Sequence, residues 1–114
     1  MSQALINQLR GQRTGRVEVL PGKHLLVIRP AEAQMPRFRG MTSELLIGQV
    51  IGWDGLTQAD LLGASVGSST PAEFSPELAA EVLADRVEWL GKVSEWLVDA
   101  IQAHLEKKAA AAKN

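Results

Sequence analysis

The sequence predicts an α+β fold, in which an N-terminal β-hairpin packs against a mainly helical remainder that ends in a helical hairpin. Three observations carry this expectation. Val17 and Val19 alternate with Arg16, Glu18 and Leu20 up to a Pro21-Gly22 turn signal, and the β-rich run Leu25-Leu26-Val27-Ile28 follows. Ser75-Pro76-Glu77 is a strong helix start, with a capping serine, a proline at the first helical position and an acid in the first turn. Leu90, Val93, Leu97, Ile101 and Leu105 then recur as one helical seam.

Taken in order, Ser2 can cap a short helix through Leu9, with Leu5, Ile6 and Leu9 on one side and Gly11 and Gly15 ending it. So short a helix is marginal alone and needs docking. The hairpin spans Arg16 to Leu20 and Lys23 to Arg29. Pro21 presets φ and Gly22 accepts positive φ, as a type II turn requires. Two strands do not stand alone in water, so helices should cover one face. Pro30 closes the second strand because it has no N–H to donate. Ala31 to Gly40 lacks a clear period and reads as a loop with room for one helical turn.

Thr42 or Ser43 caps a helix to about Ile51, on the spacing of Leu45, Leu46, Val50 and Ile51. Gly52-Trp53-Asp54-Gly55 reads as a sharp turn. Thr57 caps a short helix, Gln58 to Leu62, which Gly63 stops. Residues 63–73, rich in Gly, Ser and Thr, read as a flexible surface loop. Neither side of this loop has enough apolar surface for a core of its own, so residues 1–114 form one domain. The last helical hairpin comprises about Pro76–Ala84 and Arg86–Lys107 within residues 74–108. Asp85 and Glu88 resemble a capping box for its second helix. Residues 109–114 should fray.

The 114 residues contain no cysteine, which removes disulfides and thiolate chemistry. No secretory signal is visible, and nothing approaches ~20 apolar residues in a row. The expected location is the cytosol, with no membrane contact. The net charge of −1 hides an asymmetry: residues 1–40 carry +5 and residues 41–114 carry −6. Such a split can steer a charged partner or let copies associate head to tail. The basic residues are scattered, with only Phe38 among them to stack on a base, so nucleic-acid binding is disfavoured.

Catalysis finds little support. Gly63-Ala64-Ser65-Val66-Gly67 matches the G-x-S-x-G nucleophile pattern, but the chain is too short for the parallel sheet that the motif needs. His24 and His104 lack further ligands at metal spacing. Glu73, Glu77 and Glu81, followed by Asp85 and Glu88, read as a solvated helix face. The expectation is a binding protein with no enzyme activity, cofactor or metal.

Trp89 and Trp96 lie seven apart and project from nearly one side of the last helix, beside the aliphatic seam. This face is wider than one short helix covers. At least one of Trp53, Trp89 and Trp96 should pack in the core under the hairpin. Trp89, Val93, Trp96, Leu97 and Ile101 form the candidate surface for a partner helix or for self-association.

Four features occur in order: a hairpin ending Leu26-Val27-Ile28-Arg29-Pro30; a helix leading into Val50-Ile51-Gly52-Trp53-Asp54-Gly55-Leu56; Phe74-Ser75-Pro76-Glu77-Leu78 opening Leu83-Ala84-Asp85; and a Trp-bearing helix with a short polar tail. Over roughly residues 16–108 this layout resembles the tail assembly chaperones of long-tailed, siphovirus-like bacteriophages and prophages. The resemblance implies binding of the tape-measure protein, help to tail-tube subunits gathering around it, a place in the host cytoplasm, and absence from the finished virion. It transfers no catalytic residue. It also draws attention to Ala112-Lys113-Asn114, which codons GCA AAA AAC would make a minus-one slip site for a longer form. A structural tail or connector component, or a small nucleic-acid-binding module, are the alternatives at this point.

Overall fold

The computed structural model describes residues 2–113. The elements run α1 (Ser2–Gln12), β1 (Thr14–Leu20), β2 (Lys23–Ile28), a 3-10 helix (Glu32–Phe38), α2 (Ser43–Gly48), β3 (Val50–Asp54), α3 (Gln58–Leu62), α4 (Pro76–Ala84) and α5 (Val87–Ala112). The three strands form an antiparallel meander in the order β1-β2-β3. The α+β class holds, with a long helix at the C-terminus.

The hairpin forms where the alternation and the turn place it. Gly22 adopts φ 73°, and Val17 pairs with Leu25. Val17, Val19, Leu25 and Val27 turn to the core side. They meet Leu46, Leu56, Ala79, Leu83, Trp89, Leu90, Val93 and Leu97 in one buried cluster. Helices therefore cover one face of the sheet, as two bare strands would require.

The structure corrects several expectations. The helix expected to reach Ile51 stops at Gly48, and the expected sharp turn is a third strand. Val50, Ile51 and Trp53 are β-formers, and they add to the open edge of β2 with Trp53 opposite Leu25. Gly52 allows close approach there, since a Cβ on it would lie 3.1 Å from Leu26 Cδ1. α1 runs through Gly11 to Gln12, and the Thr14 hydroxyl donates to the Arg10 carbonyl at 2.8 Å near its end.

Asp85 does not cap α5. Arg86 holds the N-cap position without a side-chain capping bond to α5, and Asp85 closes α4. The tail is also helical to Ala112, in keeping with its alanines, the best helix formers.

Thr57 and Asp60 form a full capping box on α3, and Ser75 caps α4 as expected. The 63–73 segment is tied back to α3: Gln58 N–H donates to Thr70 O and Ala59 N–H to Ser68 O.

Candidate functional site

α5 is longer than the core it serves. Its first half buries Trp89, Leu90, Val93 and Leu97, each 6% exposed or less. Beyond Leu97 the same seam leaves the core. Ile101 is half-buried and Leu105 48% exposed, and Val98 beside the seam is 47% exposed. The periodicity is unbroken; the covering layer ends.

The 3-10 helix faces this second half of α5. Phe38 anchors it as a buried residue, and Pro36 within it disfavours a longer α-helical run. Between the two elements lies an apolar groove of about 780 Å³, walled by Met35, Met41, Val98, Ile101 and Leu105. The Ser94 hydroxyl donates to Met41 Sδ at 3.7 Å, which fixes one thioether at its edge. Glu32 ties the far end together. Its Oε2 lies 2.8 Å from His104 Nε2, and its Oε1 accepts from the Lys108 ammonium. Those contacts, Lys108 first and His104 second, lower the Glu32 pKa to about 2, with desolvation opposing them.

The expected partner surface divides. Trp89, Val93 and Leu97 lie in the core and face no partner in this fold. Trp89 is further covered by Arg86, whose guanidinium carbon sits 4.6 Å from the ring centroid. Trp96 is half-buried on a different flank, against Gly15 of β1. Of the five residues, Ile101 alone lines the groove. Met35, Met41, Val98 and Leu105 complete it. The seam already contained Leu105, but the opposite wall comes from a segment with no readable period.

The residues weighed for catalysis are placed otherwise. Gly63 ends α3 at φ 99°, and a Cβ on Gly67 would lie 2.5 Å from the Gln58 carbonyl oxygen. Both glycines of the G-x-S-x-G match therefore have backbone reasons. The segment follows a helix instead of a strand. His104 contacts Glu32, and His24 Nδ1 lies 3.4 Å from Asp54 Oδ1. Among the described residues no group of three or more His, Cys, Asp or Glu is placed to hold a metal. No helix among them is long and apolar enough to cross a membrane.

No protein-family model, no curated protein and no solved structure matches the chain. What the groove offers chemically is a concave strip of aliphatic and thioether groups about as long as a few helical turns of α5. Such a strip suits the apolar face of a helix.

Proposed function

We propose that the chain is a tail assembly chaperone of a long-tailed bacteriophage, holding apolar helix faces of the tape-measure protein in the groove between the 3-10 helix and α5. The observation that carries this reading is the groove itself: the α5 seam runs on past the core, half-exposed, and is walled by two methionines. Methionine is flexible and polarizable, and recurs on surfaces that accept varied apolar partners. A long helical client presents the same kind of stripe many times. Weak sites on many copies then gain by avidity. The ordered features that resemble this family point the same way, and the role belongs in the host cytoplasm without a cofactor.

The test is co-expression with the tape-measure protein of the same phage. The native chain should keep that client in the soluble fraction and co-purify with it. Ile101→Asp with Leu105→Asp should lose both effects while its thermal unfolding stays close to native, because Leu105 is exposed and Ile101 half-buried. Equal co-purification by native and variant chains would remove the groove from the reading. Mass spectrometry of washed particles should find the chain missing; stoichiometric amounts there would point to a structural tail component.

A further inference from the structure

We propose that a recess where α1 turns into β1 binds a phosphate dianion, held by Arg13, Arg29 and Lys107. The dianion is inorganic phosphate or the terminal group of a phosphomonoester. The site is separate from the client groove and does not rest on the reading given for it.

Backbone pairing builds the recess, which is about 240 Å³. Thr14 pairs with Ile28 in the antiparallel ladder, and one step further the Arg29 N–H donates to the Arg13 carbonyl at 2.8 Å. The ladder therefore sets two arginines side by side at the open end of the hairpin. Like charges directly across a ladder destabilise it. α5 supplies the remaining wall. Trp96 lies on Gly15, which holds this helix against β1. Ala100, Ala103 and Lys107 follow Trp96 on the same side of α5. The two alanines leave the space, and Lys107 adds a third cation.

These cations are under-compensated. None of Arg13, Arg29 and Lys107 forms an ion pair among the described residues. The Arg13 side chain makes no hydrogen bond among them, and its Nε is buried without an acceptor. A guanidinium partly shut off from water gains the more from an acceptor on its terminal N–H groups. Arg29 spends one donor on the Pro30 carbonyl at 2.8 Å. Burial, and then the Arg13 charge, lower its pKa; Glu32 opposes this, but the Glu32 carboxylate already binds His104 and Lys108.

The donor set selects the ligand. Three cations exceed what one carboxylate neutralises and suit a dianion. Guanidinium groups offer N–H pairs that match phosphate oxygens, and the lysine adds a point charge. A cleft of one sign beside an apolar wall concentrates such an anion. A phosphomonoester has a second pKa of about 6, so it is mainly dianionic at neutral pH. A nucleic-acid backbone carries one charge per phosphate and needs a cationic track with stacking aromatics. Here the one aromatic in the wall, Trp96, is laid on Gly15 instead.

The test is a titration of the full chain followed by amide NMR, with ionic strength held constant by chloride. Inorganic phosphate should give saturable shifts centred on Arg13, Thr14, Arg29 and Ala103, with half-saturation at about 1 mM or below. Arg13→Gln and Lys107→Gln should each weaken binding about tenfold, through loss of a charge-assisted contact. Lys107 is exposed, so its variant should unfold as the native chain does, even if Arg13→Gln disturbs the α1–β1 junction. Lys92→Gln, exposed and roughly 22 Å along α5 from Lys107, should bind as the native chain does. Methyl phosphate separates the sources: equal binding assigns the site to a terminal phosphate, and weaker binding to the free ion. Shifts that do not saturate, undiminished binding by Lys107→Gln, or equal binding of the monoanion dimethyl phosphate would each overturn the proposal.

Discussion

At the scale of residues, Gly15 and Trp96 make the sharpest contact in the fold. A Cβ on Gly15 would lie 2.3 Å from Trp96 Cζ2, so the indole lies on bare backbone. Gly15→Ala should cost about 1–3 kcal/mol by overpacking, or expel the ring and red-shift its emission. In a Trp96→Ala background the same change should be nearly neutral in urea unfolding, which separates the clash from any effect on the strand. Arg86 is a second such point. It holds two carbonyls at the end of α3 and lies over Trp89. Arg86→Met keeps most of the stem and loses both interactions, for an expected loss of about 2 kcal/mol in the same measurement. Neither role was legible beforehand. Gly15 looked like a helix stop, and Arg86 like the first residue of a helix, because both roles depend on partners distant in sequence.

At the scale of elements, legibility followed the range of the interaction. The hairpin, α3 and the start of α4 rest on local chemistry: Pro21-Gly22, Thr57 with Asp60, and Ser75-Pro76. These were readable residue by residue. β3 was not, because Leu45, Leu46, Val50 and Ile51 satisfy a helical period, and only the open edge of β2 recruits the last two into a strand. The far end of α5 shows a different limit. Periodicity identifies an apolar face but not what covers it, so Trp89 and Leu97 in the core and Leu105 in the groove gave one signal. The Glu32 contact that joins this end to the 3-10 helix has a defined pH response. Its carboxyl is lowered from 4.5 to about 2 in the fold. The unfolded chain therefore binds the proton first as pH falls, and the contribution, complete above about 4.5, is lost on descent through about 2. Hydrogen exchange in Leu105–Ala112 should accelerate over that window. Glu32→Gln should exchange faster already at neutral pH and show no further change there; an identical pH profile in both chains would mean that the contact does not hold α5 in place.

At the scale of the whole molecule, one buried cluster draws on all three strands through Val17, Leu25 and Val50, and on α2, α4 and α5 through Leu46, Leu83 and Leu97. The 63–73 segment, which reads in the sequence as a flexible surface loop, is bonded to α3 and adds no second core. Sheet and helices should thus unfold together. Leu83 is fully buried, and Leu83→Ala should cost about 2–5 kcal/mol. Against a total of about 5–15 kcal/mol for a native protein, that is a large share. If the cluster is one cooperative unit, the tryptophan emission, with Trp89 inside the cluster and Trp53 packed against it, and the helical signal should shift to lower urea by the same amount in this variant. Two separated transitions would mean that the C-terminal helices hold without the sheet. α1 lies outside the unit, since it buries nothing. Its amides should exchange nearly as fast as an unfolded segment in dilute solution, while those of β2 exchange only through global unfolding.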